Sequence, residues 1–255
     1  MNRSLLLRIL LTFVGEDRLR RLLTWMEIHL PGLGGKRVYA EFGEDIILDH
    51  MFQGIRAGFY VDVGAHHPIR ESNTYRLYRR GWHGINIDAS PGSFSLLQRF
   101  RPRDINLHTL VSNQETMLTF YCFGLSSMNT LDLARAEAFK KASGHSWSTL
   151  HLHSRSLADI LATHVPAGTG IDLLSVDVEG HDLSVLQSND WERFVPRVIL
   201  VEMHFSTLES LFRSPLFEFL REKGYDLVNI LGPSLVFVAN KAKNHPHWPF
   251  MMQRG

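Results

Sequence analysis

The chain holds a single cysteine, Cys122, among 255 residues. That excludes an intrachain disulfide and a cysteine-built zinc cage. It has no excess of either charge: 27 Lys and Arg stand against 26 Asp and Glu, with a formal net charge of +1. No basic block dominates any stretch, so nucleic acid is not an expected partner. It also lacks an apolar run that could cross a bilayer. The nearest candidate, Leu5-Leu6-Leu7 with Ile9-Leu10-Leu11, is broken by Arg8 and is far shorter than the ~20 residues a spanning helix needs. Gly15-Glu16-Asp17 makes a poor cleavage site for a signal peptide. There is no internal repeat, and the 14 histidines are too scattered to be a metal signal by number alone.

These absences point to a cytoplasmic protein. With Arg18, Arg20 and Arg21 following the apolar run, the first helix could also lie on the inner membrane surface as a peripheral contact. A helix packed on the domain is the plainer expectation. Oligomeric state is not written in the sequence.

What is present is enough apolar residue, 44% of the chain, to bury one large α/β core. Residues 1–35 read as a helical extension ending at the breaker cluster Pro31-Gly32-Leu33-Gly34-Gly35, which leaves 36–255 as the main domain. A helix over 44–52 is expected to turn Ile46, Ile47, Met51 and Phe52 inward. Strands are expected at 59–63, 84–88, 105–111, 171–176 and 197–202, with an added one at 117–123. Helices over 74–80, 91–100, 157–164 and 216–223 alternate with them, with Pro91 at a first turn and Ser156 as a cap. Periodicity fades over 124–150 apart from a helix near 131–141, so this segment reads as an insertion or a mobile lid that orders over an acceptor. Strands 225–231 and 234–239 are joined only by Gly232-Pro233, too short a link for a parallel crossover. The pattern predicts a Rossmann-like sheet of seven strands, mostly parallel, with an antiparallel last strand.

In such a sheet ligands bind beyond the carboxyl ends of the strands. The first strand ends Val61-Asp62-Val63-Gly64-Ala65-His66. A dinucleotide site would show Gly-x-Gly-x-x-Gly there, because backbone must approach a pyrophosphate. Only Gly64 is present, which suits S-adenosylmethionine, a cofactor without phosphate that needs one tight turn beside its amino-acid end. The second strand ends in Asp88, 24 residues after Gly64 (88 − 64), where a carboxylate can accept from both ribose hydroxyls. Ser112, after the third strand, could hold the adenine. Past the fourth strand come Asp177, Glu179, His181 and Asp182 within six positions. Asp182 is expected to cap the next helix, with Val185 and Leu186 inward. Deprotonating a hydroxyl needs a base within hydrogen-bond reach; Glu179 or His181 could serve, and spacing does not choose. Gly180 between them would leave room for an acceptor ring.

An ordered set of motifs then resembles the FkbM family of methyltransferases over roughly 40–240: Phe42-Gly43-Glu44-Asp45, 58–65, Ser72-Asn73-Thr74, 84–88, 175–183, Ser188-Asn189-Asp190-Trp191 and Val201-Glu202. The resemblance implies the class I methyltransferase form of the fold and O-methylation with S-adenosylmethionine. The implied acceptor is a sugar hydroxyl of a glycan, polysaccharide precursor or lipopolysaccharide. A small natural product such as a polyketide, or a cofactor-binding domain that has lost its chemistry, are the alternatives. Carried over, Asp62, Gly64 and Ala65 line the methionine end, Asp88 holds the ribose, and Asp177 faces the amino or sulfonium region. Two departures stand out: His66 where relatives often carry Asn, and Asp88 where Glu is common. Glu202 and His204 close the fifth strand and are expected to contact the acceptor. With Asp177 and Glu179 they offer oxygen and nitrogen ligands to a divalent metal, as some sugar methyltransferases use. Ordinary hydrogen bonding is the reading kept, and no metal is expected.

Overall fold

Four runs in the chain are apolar without alternation, and such strands must be covered on both faces, as in the middle of a parallel sheet. In the computed structural model they are β1 (Phe59–Val63), β7 (Leu173–Val176), β8 (Val198–Glu202) and β10 (Ser234–Ala239), and only Glu202 among their residues is not fully buried. The structure describes residues 36–123 and 128–240. The expected N-terminal helix and its breaker cluster lie outside these. The chain divides after Val38, and the unit that begins at Tyr39 holds all the strands and helices of the described residues.

With β2 (His83–Asp88), β3 (Ile105–His108) and β9 (Tyr225–Leu231), these strands form one seven-stranded sheet in the order β3-β2-β1-β7-β8-β10-β9. Every neighbouring pair is parallel except the two involving β10, which runs antiparallel to β8 and β9. The Rossmann-like sheet and its hairpin are as expected. The chain goes outward from β1 through β2 to β3, then returns to β7 on the other side of β1. That reversal opens a crevice between the ends of β1 and β7.

Strand alternation sends successive side chains to opposite faces. Val61 and Val63 of β1 join Ile85, Leu174, Ile199 and Phe237 on one face. There they meet α5 (Leu157–His164), α6 (Asp182–Gln187) and α8 (Pro215–Glu222) through Leu161, Leu186 and Leu220. Tyr60, Leu173, Leu200 and Val236 point to the other face. They pack on α1 (Glu44–Met51) and α2 (Tyr75–Arg79) through Leu48, Met51 and Leu77, with Phe52 and Trp82. Trp82 is fully buried, so its truncation to Ala would cost about 3–5 kcal/mol.

Three local expectations need correction. The inward stripe of α1 is Glu44, Asp45, Leu48 and Met51, continued by Phe52, while Ile46 and Ile47 are half-buried on its flanks. The two acids bury because they have partners: Ser234 Oγ donates to Glu44 (2.8 Å), and Arg76 Nε and Tyr39 N donate to Asp45. The strand expected over 105–111 breaks at Thr109. Its end, β4 (Leu110–Val111), leaves the large sheet for a small three-stranded one. This sheet contains β5 (Met117–Cys122) and an unexpected strand, β6 (Ser148–Arg155), so the segment read as lid ends in paired strand. Leu150 and Leu152 of β6 pack with Leu110, Phe120 and Cys122 in a separate cluster. Between β5 and β6 lies α4 (Leu133–Ser143), capped by Asp132, and within it only Ala136 is fully buried. A short helix, α7 (Leu208–Phe212), was not anticipated; Thr207 and Ser210 cap it reciprocally. The remaining helix, α3 (Pro91–Phe100), begins on Pro91 as expected. No helix among the described residues is long and apolar enough to cross a membrane.

Candidate active site

A cavity of about 370 Å³ opens where β1, β2, β7 and β8 end, bounded by Met128 to Leu131 and Arg135 from the connection between β5 and β6. Of the residues predicted from sequence, Asp62, Gly64, Ala65, Asp88, Asp177, Glu179, His181, Glu202 and His204 all line it. Ser112 does not: its hydroxyl lies 3.2 Å from Ser184 Oγ and accepts from Gln114 N, away from the cavity wall.

The turn after β1 is set by Gly64, whose φ of +83° lies in the left-handed region. A Cβ there would stand 1.7 Å from the carbonyl oxygen of Asp177, so backbone approaches backbone where no side chain fits. Gly64 N and Ala65 N both donate to Ile87 O. Asp88 then ties the turn to β2. Its Oδ2 accepts from His66 N (2.8 Å) and its Oδ1 from Ser90 N (2.7 Å). The carboxylate thus combines the bland role, a turn cap, with a place on the cavity wall; each oxygen keeps a second lone pair for a ligand. Burial pushes its pKa up. Asp62, also raised by burial, accepts from Thr74 Oγ1 at 2.7 Å.

The far wall is acidic. Oxygens of Asp177, Glu179 and Glu202 all lie within 4.8 Å of one another, the one group among the described residues able to hold a metal ion. His204 is not part of it; its side chain is 71% exposed at the rim, 3.5 Å from Glu202. Burial, then the hydrogen bond and charge of Glu202, hold the Asp177 carboxyl well above the usual carboxylate range. Burial also pushes Glu179 to about 7, against the attraction of Arg135. Arg135 Nη2 donates to Glu179 Oε2 at 2.5 Å. His181 is half-buried, and its Nδ1 has no hydrogen-bond partner among the described residues. Burial shifts its pKa downward.

One site expectation fails on geometry. Asp182 does not cap α6. It accepts from Val178 N and Gly180 N, both at 3.1 Å, closing the preceding turn, while His181 occupies the cap position. The space beside Gly180 holds the tip of the Arg135 side chain, whose Nη1 would lie 2.9 Å from a Cβ there. Arg135 itself was missed: its helix has no apolar stripe and lies 44 residues from Glu179 in sequence. Glu44 and Asn73, also on the wall, stood inside recognised motifs but had no assigned role.

The residues present fit S-adenosylmethionine. The Gly64 cradle, closed by the Asp177 carbonyl, and the carboxyl groups of Asp62, Asp88 and Asp177 meet on one wall, an acceptor set that suits a ligand bearing an ammonium and ribose hydroxyls. Ala89, Leu110, Val111 and Phe120 give an apolar wall for a purine. The chain is similar to a TehB-like SAM-dependent methyltransferase from Corynebacterium glutamicum, with a TM-score of 0.41 and 12% identity over 88% of this chain and 100% of that one. No curated protein matches it. The profile of the methyltransferase FkbM domain matches residues 62–227, well over half of the chain and spanning every wall residue from Asp62 to His204. The chain therefore belongs to the FkbM-domain methyltransferases and uses S-adenosylmethionine as its methyl donor.

Proposed function

We propose that the acceptor is a hydroxyl oxygen of a sugar in a glycan, polysaccharide precursor or lipopolysaccharide, and that the enzyme belongs to polysaccharide assembly. The observation that carries this reading is the far wall of the cavity, where Asp177, Glu179, Glu202 and His181 gather hydrogen-bond acceptors. A ligand presenting several hydroxyl donors would satisfy such a wall. S-adenosylmethionine, when bound, supplies a methyl group on a positively charged sulfur. The chain's own residues align the acceptor and receive its proton. In this reading His181, whose Nδ1 is unpartnered among the described residues and whose pKa burial lowers, accepts the proton, while Glu179, steadied by Arg135, orients the hydroxyl. Glu202 and His204 contact the rest of the sugar, and the connection carrying Arg135 covers it. General-base catalysis contributes about 10²–10⁴-fold, so His181→Ala should lower kcat by about that factor and leave cofactor affinity unchanged. Near-normal turnover of this variant from about pH 6 to about pH 9 would show that His181 is not the base.

The spacing of Asp177, Glu179 and Glu202 favours one second reading, a divalent cation that orients two hydroxyls. Activity that withstands His181→Ala but is abolished by a chelator and restored by magnesium or manganese would replace the first reading with this one.

A further inference from the structure

Arg101 is 1% exposed, among the most buried large side chains of the protein. Taking a guanidinium out of water is costly unless its charge is matched and its donors are used. Asp104 supplies the charge match through Oδ2 at 2.9 Å from Arg101 Nε. Asp104 needs nothing further from Arg101, because Tyr60 OH (2.7 Å), Gly84 N (3.0 Å) and Asn86 Nδ2 (2.9 Å) also donate to it. The other edge of the guanidinium reaches elsewhere. Its Nη1 donates to Pro68 O (3.2 Å), in the segment after the Gly64 turn, and its Nη2 to Tyr60 OH (2.6 Å) and Thr74 Oγ1 (3.0 Å).

Hydrogen-bond inventory then fixes a direction. An arginine can only donate, so Thr74 Oγ1 must accept from it, and the single Thr74 proton is left for Asp62 Oδ2 at 2.7 Å. Asp62 is thus held as an acceptor by Thr74, while Ser175, which accepts from Asn73 Nδ2 at 3.3 Å, favours its charged form against the effect of burial. One guanidinium thus reaches two carboxyl groups, Asp104 directly and Asp62 through Thr74. Asp104 is saturated with donors in the interior, so it is Asp62, on the cavity wall, that has acceptor capacity left for a ligand.

We propose that Arg101 is a positioning residue for the cofactor, acting through Thr74 to orient the Asp62 carboxylate toward the ammonium of the cofactor's amino-acid moiety. Arg101 touches no ligand. It holds Asp62 in one orientation and, through Pro68, holds the segment beside it.

The test compares two ligands by calorimetry. S-adenosylhomocysteine carries the ammonium; 5′-methylthioadenosine keeps the nucleoside and thioether and lacks it. Because Arg101→Met strips Asp104 of its cation and endangers the fold, Thr74→Val is the primary variant. It preserves shape and removes the relay. S-adenosylhomocysteine should bind Thr74→Val about tenfold more weakly, with methylthioadenosine unchanged within a factor of about two. Thr74→Ser, which keeps the hydroxyl, should restore the loss. Asp62→Asn should show the same selective loss, and adding Thr74→Val to it should cost little more. An equal loss for both ligands would reduce the network to a structural role and overturn the proposal. So would wild-type binding of both, or failure of Thr74→Ser to rescue.

Discussion

Asp88 offers the sharpest perturbation, because its carboxylate closes a turn and is also the group proposed to hold the cofactor's ribose. Each oxygen accepts one backbone N–H, from His66 at 2.8 Å and Ser90 at 2.7 Å. Asp88→Ala removes both acceptors and strands two largely buried donors, at about 1–3 kcal/mol each. The relief of a carboxylate whose pKa burial has raised offsets part of that, so a net destabilisation of about 2–4 kcal/mol is expected. That fall in stability would confuse any binding measurement. Asp88→Asn separates the two roles: its amide oxygen keeps one turn bond, its shape is unchanged, and its charge is gone. Hydrogen bonds to a charged group are worth about 1.5–3 kcal/mol, so Asp88→Asn should weaken S-adenosylhomocysteine binding about 10- to 150-fold. Calorimetry and a denaturant melt on the same preparation read the two effects independently. A folded Asp88→Asn with wild-type affinity would refute the reasoning and leave Asp88 as a turn cap alone.

Gly64→Ala places a methyl against the Asp177 carbonyl at 1.7 Å with φ at +83°. It should lower Tm by about 4 °C or more and remove measurable cofactor binding; a wild-type melt would contradict the cradle. Glu179 binds its proton more tightly in the folded chain, its pKa rising from an ordinary 4.5 to about 7, so its ionisation lowers stability as pH climbs through that window. Glu179→Gln should therefore gain on the parent protein at about pH 8 and converge with it near pH 4 in denaturant midpoints; a difference independent of pH would overturn this. Without acceptor, amides of α4, where only Ala136 is fully buried, should exchange faster than those of β1 and β7, and equal protection would argue against a cover.

The sheet was legible in the sequence wherever the signal was local. Unbroken apolar runs marked β1, β7 and β8, Pro91 marked the start of α3, and the short Gly232-Pro233 link forced the hairpin. What stayed hidden depended on pairing across the chain. Residues 105–111 look like one strand, and only contact with the distant Ser154 and Arg155 draws Leu110 and Val111 into another sheet. The Leu150-His151-Leu152-His153 alternation was too brief to read without its partner β5. In the site, strand ends pointed to Asp62, Gly64, Asp88, Asp177 and Glu202, because topology alone delivers them to one edge. Arg135 arrives from a helix without patterning, and Asp182 closes its own turn because the left-handed residues Glu179 and Gly180 (φ +54° and +97°) fold the chain back on it. Neither was visible as a motif.

The proposed acceptor chemistry is tested most directly by incubating the protein with S-adenosylmethionine labelled in its methyl group and a polysaccharide extract, then hydrolysing the product to monosaccharides. An O-methyl ether survives that hydrolysis, so label should appear in a methylated sugar with wild-type protein and fall by about 10²–10⁴-fold with His181→Ala. Label that stays with the cofactor, or that is lost from the sugar under mild base as an ester would be, would contradict methylation of a sugar hydroxyl.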